Sequence, residues 1–157
     1  LKPLPTKGTG LLKFNKITIC NDQREIQESA VVGKPTIFEI NYSSDEELNI
    51  KNTQIDIGIN NSLGNRVAWF STSVVDTNID VDVNTKGNIL LIIDKLPLFP
   101  GEYTVTLFAK YKGIIADWIK DAYYFNVISG DFFGTGRLIK EGQGDIIIDH
   151  SFKIKKA

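Results

Sequence analysis

This chain is poor in the residues on which most chemistry depends. Its 157 residues include one cysteine, one histidine and no methionine. Cys20 alone cannot form an intrachain disulfide, so nothing demands an oxidising compartment, and a small buried hydrophobe in a strand is its simplest role. One histidine excludes a multi-histidine metal centre of the cupin kind. Asp149, His150 and Ser151 sit side by side, but neighbours on a strand point to opposite faces and cannot converge as a triad. Charge of one sign is also lacking: 18 Lys and Arg stand against 19 Asp and Glu, a net charge of −1. A dedicated nucleic-acid binder carries a basic excess, as does a polybasic membrane anchor, and neither is expected. The longest aliphatic run, Ile89 to Ile93, falls far short of the about 20 residues of a membrane-spanning helix.

Motifs that would announce a cofactor or a reaction are missing as well. Gly8-Thr9-Gly10 lacks the continuation of a phosphate-binding loop, and Gly33-Lys34 runs into Pro35 rather than Ser or Thr. No cofactor is expected. Asp76 to Asp82 has the alternating acids of a calcium loop. It lacks the glycine where Val81 sits and the acid where Gly87 sits, so alternation of Ile79, Val81 and Val83 with the acids reads better as one strand. No metal ligand is assigned. Nineteen acids allow many glycosidase-type pairs and the sequence selects none, so no catalytic residue is named. The opening Leu1-Lys2-Pro3-Leu4-Pro5 has no apolar signal core and no initiator Met. It reads as a linker cut from a longer, soluble, cytoplasmic protein.

What is present is alternation. Apolar residues make up 42% of the chain, enough for a core, and they recur with period two. Leu12 and Phe14, then after a phase slip Ile17 and Ile19, predict a first strand. Phe38, Ile40 and Tyr42 predict a second after Gly33-Lys34-Pro35. Asp45-Glu46-Glu47 reads as no more than a turn. Ile55, Ile57 and Ile59 lead to a hairpin loop at Asn61-Ser62-Leu63-Gly64-Asn65, with Val67 to Val75 returning. Ile89 to Ile93 reads as a strand covered on both sides. Pro100-Gly101 turns into Tyr103, Val105, Leu107 and Ala109. Ile114 to Ile119, Ala122 to Ile128 and Asp145 to Ile154 supply three more. Eight or nine short strands with no helical period predict one all-β domain, an antiparallel sandwich or barrel. Its expected parts are an arm at 1–10, a sandwich core at 11–129, and a glycine-rich connector with a final strand at 130–157. The connector looks flexible, so the last strand is free to pack non-locally.

Function must then come from the surface. Glycans are gripped by aromatic faces that stack on sugar C–H bonds and by amides or carboxylates that bind adjacent hydroxyls. If Tyr103, Val105 and Leu107 point inward, then Phe108 points outward beside Thr104, Thr106 and Lys110. If Tyr123, Phe125 and Val127 point inward, Tyr124 and Asn126 point outward. Trp118 lies in a strand that should pair nearby, and Trp69 is the other tryptophan. The candidate carbohydrate-binding residues are therefore Trp118, Tyr124, Asn126, Phe108, Thr106, Lys110 and Trp69. A register slip of one residue would exchange the two faces, and an aromatic in a sandwich belongs by default to its core.

The order of several short motifs adds a resemblance. Leu96-Pro97-Leu98, Pro100-Gly101-Glu102-Tyr103-Thr104-Val105, Asp117, Asp121 to Val127 and Gly130-Asp131-Phe132-Phe133-Gly134-Thr135-Gly136 follow one another. With Gly8-Thr9-Gly10, Gly33-Lys34-Pro35 and the Ile55 to Val67 hairpin before them, they resemble the C-terminal domain of the ATP-binding subunits of O-antigen polysaccharide ABC transporters, the Wzt C-terminal type. The resemblance spans nearly the whole chain. It implies an immunoglobulin-like or jelly-roll sandwich that recognises an O-antigen polysaccharide before export. It implies a cytoplasmic location at the inner membrane, and a homodimer in which the C-terminal strand is swapped between protomers. It also implies contact with the transporter permease through a nucleotide-binding domain absent from this chain. Ser71-Thr72-Ser73 departs from the family's Asn-Thr element, so no ligand residue is carried over there. The alternatives are a structural or adhesive immunoglobulin-like domain of a surface protein and a polysaccharide hydrolase.

Overall fold

The computed structural model describes residues 7–76 and 83–157. The strand expected around Ile79 and Val81, with the acidic Asp76 to Asp82 segment, lies mostly outside the described residues. Among the described residues eight strands form two sheets. They are β1 (Lys13–Cys20), β2 (Ala30–Val31), β3 (Thr36–Asn49), β4 (Thr53–Asn61), β5 (Arg66–Ser71), β6 (Val83–Ile93), β7 (Gly101–Tyr111) and β8 (Ile114–Ile128), with one 3₁₀ turn at Ile50–Asn52. The smaller sheet has the order β1-β3-β6 and the larger β2-β8-β7-β4-β5. Every pairing is antiparallel except that of β2 with β8. The fold is the expected all-β sandwich.

Period-two alternation explains the layering, because successive side chains leave a strand on opposite faces. Phe38, Ile40 and Tyr42 of β3, Ile17 and Ile19 of β1, Ile55, Ile57 and Ile59 of β4, and Tyr103, Val105 and Leu107 of β7 all turn inward and are buried. Phe38 meets Phe125 edge to face across the sheets at 5.3 Å between ring centres. Each such buried side chain stabilises the fold by about 1.5–3 kcal/mol. The phase slip in β1 is a bulge between Phe14 and Lys16.

Asp117 ties the sheets together where β1 bulges. Its side chain is buried, and its Oδ2 accepts the Phe14 N–H at 2.9 Å while Oδ1 accepts that of Trp118 at 3.0 Å. Burial raises the carboxyl above the ordinary carboxylate range, against the pull of those two N–H groups and of Lys13. On the same strand, residues Lys7 to Gly10 run along the edge. Lys7 N donates to Trp118 O, Thr9 N to Ile115 O and Gly10 N to Ala116 O, at 2.9–3.3 Å. Gly8 makes that approach possible, since a Cβ there would lie 2.5 Å from the Ala116 carbonyl.

Several expectations are corrected. Ile114 to Ile119 and Ala122 to Ile128 belong to one strand, bent where Asp121 adopts φ 49°. Asp45 to Glu47 is not a turn but a bulged continuation of β3, whose register shifts between Ser43 and Leu48. Strand β5 ends at Ser71 rather than Val75. Ile89 to Ile93 is not covered on both sides: Leu91 and Ile93 pack on the core, while Ile92 on the outer face of the smaller sheet is 61% exposed. The glycine-rich stretch is not a free connector: Phe132 is in the core, and Asp131 accepts the N–H groups of Thr135 and Gly136.

The last segment forms no strand within the chain. It makes a single bridge, Leu98 with Ile146, in which Phe99 N donates to Asp145 O and Ile147 N to Pro97 O. The ladder stops there for two reasons. Pro100 has no N–H to offer, and the backbone of Leu96 is already bonded to Gly33 and Lys34. Ile147 is buried, whereas Ile148, Phe152 and Ile154 stand exposed beyond it.

Candidate functional site

The outward residues of the larger sheet form one continuous face, and the pairing registers lay it out row by row. Phe108 is paired with Trp118 on one side and Asp56 on the other, and Asp56 is paired with Ser71. In the next row Thr106 is paired with Gly58, and Gly58 with Trp69. Beyond it Tyr124 is paired with Thr104, Thr104 with Asn60, and Asn60 with Arg66. Lys110 and Asn126 lie toward opposite ends of the face. The structure thus brings all seven candidates, Phe108, Trp118, Thr106, Trp69, Tyr124, Lys110 and Asn126, onto one sheet face, with Thr106 buried in its floor. Trp69 is 50% exposed and Tyr124 61%, so neither is core. Phe108 and Trp118 are half-buried and meet edge to face at 5.7 Å.

A polar floor runs between these aromatics. Asn60 is buried, and its Nδ2 donates to Thr104 Oγ1 at 3.4 Å and Thr106 Oγ1 at 3.3 Å. Its Oδ1 accepts Arg66 Nε at 2.8 Å. Thr104 in turn donates to Asp121 Oδ1 at 2.9 Å. Gly58 has a specific purpose here: the Arg66 guanidinium lies over it, where a Cβ would be 2.3 Å from Arg66 Cζ. The chain opposite Thr106 bulges, with Lys120, Asp121 and Ala122 set between the Val105–Tyr123 and Leu107–Ile119 pairs. That bulge places Asp121 on the outer face. At the far ends, Asp56 accepts Gln54 Nε2 and Ser71 Oγ, and Asn126 Oδ1 accepts Ser29 Oγ at 2.8 Å.

The face therefore combines exposed rings with hydrogen-bonding groups locked by each other, a surface suited to an extended polar chain rather than to a small enclosed molecule. Sequence reasoning missed Asn60, Arg66, Asp56 and Asp121. Asp56 and Asn60 carried a signal, since they alternate with Ile55, Ile57 and Ile59. Arg66 and Asp121 carried none, because their placement depends on the hairpin register and on the bulge. Among the described residues no cluster of His, Cys, Asp and Glu could hold a metal ion, and no helix is long and apolar enough to cross a membrane.

Fold and face together define a two-sheet β-sandwich whose larger sheet presents an aromatic and amide-bearing outer surface. The chain belongs to the Wzt C-terminal domain family, whose model matches residues 5–138. At the level of the family, that is a non-catalytic, carbohydrate-binding role associated with O-antigen transporters. A solved structure described as the C-terminal domain of Wzt is similar in fold, with a TM-score of 0.75 at 15% identity, covering 99% of this chain and 90% of that one. No curated protein matches this chain.

Proposed function

We propose that this domain is a non-catalytic module that binds a bacterial O-antigen polysaccharide on the outer face of its larger sheet, as the recognition part of an export ATPase. The observation that carries the reading is the convergence of Trp69, Phe108, Trp118 and Tyr124 around the Asn60–Thr104–Thr106 floor. Rings stack on the apolar faces of sugars, and fixed amides and hydroxyls read the hydroxyl pattern between them. The domain acts at the cytoplasmic side of the inner membrane and reaches the permease through the ATP-binding part of the subunit. Titration with the producing strain's own polysaccharide, followed by tryptophan fluorescence, tests it. A saturable change is expected, and no response at millimolar repeat units would overturn the reading.

The domain acts as a homodimer that exchanges its C-terminal segment. Extended as a strand against a partner, residues 146–154 would place Ile146, Ile148, His150, Phe152 and Ile154 on one face, and Phe152 is 90% and Ile154 98% exposed. A strand with an apolar face and unpaired backbone is a template for pairing with a second copy. Deleting residues 148–157 spares the buried Ile147, so the sandwich should remain folded and light scattering should show a monomer. A full dimer after that truncation would reject the exchange.

A further inference from the structure

We infer that the Phe108–Trp118 end of the binding face takes an acidic saccharide, a sugar bearing a carboxylate or a phosphate. This rests on the carbohydrate reading above and adds the chemical class of its ligand. Among the described residues three ammonium groups gather at that end of the face. Lys7 Nζ lies 5.0 Å from the Trp118 ring centre, Lys120 Nζ 5.4 Å from the same ring, and Lys110 Nζ 5.8 Å from that of Phe108. They come from three separate places: the arm, the bulge of β8, and β7. An ammonium gains little from an exposed ring, about 0.5–1 kcal/mol, so three of them converging on one ring pair is a positive field awaiting a counter-charge.

Among the described residues no carboxylate lies within 4.0 Å of these three ammonium groups. The ion pair found among the described residues, Arg24 with Glu39, is on the other sheet. Asp56, next to Phe108, is occupied by Gln54 and Ser71. Asp121 is held by Thr104, and the Asp117 carboxylate is turned inward to Phe14 N. Among the described residues none of these acids lies within 4.0 Å of a lysine nitrogen. A saccharide held against the Phe108–Trp118 pair comes within reach of these lysines, for which a carboxylate or phosphate is the complementary group. At the other end the cation is Arg66, whose Nε is already committed to Asn60.

A panel of purified O-antigen polysaccharides, sorted into neutral, uronate-bearing and phosphate-bearing, tests the assignment and tells the two acidic sources apart. The bound members should be acidic, and their affinity should fall about tenfold or more between about 20 mM and about 0.5 M sodium chloride. The triple variant K7Q/K110Q/K120Q should lower it about tenfold at the lower salt, with an unchanged melting temperature, and K34Q should change nothing. Binding of neutral polysaccharide as well as acidic, insensitive to salt and to the triple variant, overturns this inference and leaves the carbohydrate reading standing. Binding of no polysaccharide at all overturns both.

Discussion

The two outer faces of the sandwich are made by the same alternation, yet they differ in kind. The larger sheet shows rings, lysines and a hydrogen-bonded floor. The smaller shows an amide ladder, in which Asn15 Nδ2 donates to Asn41 Oδ1 at 3.2 Å and Asn41 Nδ2 to Asn88 Oδ1 at 3.3 Å. Part of that smaller face is covered, since the outward residues Cys20 and Ile37 are buried. The contrast teaches that a polar face is not by itself a site. Both faces offer amides, but only one offers aromatic surface beside them, and stacking is what gives a weakly hydrophobic sugar its hold.

The comparison can be broken from the core outward. Phe38→Ala removes a fully buried ring shared by both sheets and should cost about 3–5 kcal/mol in chemical unfolding, lowering both faces together. Trp118→Ala should leave the fold intact and weaken glycan binding by about tenfold or more, whereas Asn41→Ala should not alter binding. Equal losses from the two variants would erase the distinction between the faces.

Two titrations sharpen it further. Tyr103 is stacked on Phe125, donates to Phe99 O, and is pushed up to about 12 by burial and then by Asp145. A phenol raised in the folded state contributes stability that is present below the ordinary tyrosine value and lost as pH rises through about 12. Alkaline unfolding should steepen between pH 10 and about 12, and Tyr103→Phe should remove that component. Asp117 is also raised, so its contribution is present in acid and lost as pH climbs through the raised value. Relative to wild type, Asp117→Asn should therefore gain stability as pH rises from the acid limb toward neutrality. A difference independent of pH would mean that the carboxylate is not held under the strain of burial. This is the smallest effect, because the Asn side chain keeps one of the two backbone bonds.

Much of the fold was legible because burial imposes a period. The inward sets of β1, β3, β4 and β7 could be read by alternation, and the slip at Phe14–Lys16 announced its bulge. The outward set on β7 and β8 followed as the complement, which is why Phe108, Thr106, Tyr124 and Asn126 were found together. Trp69 and Trp118 were harder, since an aromatic fits a core as well as a surface. Only the pairing of Trp69 with Gly58, and of Trp118 with Phe108, decides the matter.

By itself the sequence determined the architecture class and the inner and outer sets of most strands, because side-chain direction in a strand is a local property. It also determined that the single histidine and cysteine could build no multi-histidine centre and no intrachain disulfide. Tertiary structure alone decided which strands became neighbours, that Arg66 lies over Gly58, that Asp121 emerges at a bulge, and that Lys7 reaches Trp118 from more than a hundred residues away. Those are questions of register between strands distant in the chain, and register is set by the packing of the whole sandwich rather than by any one segment.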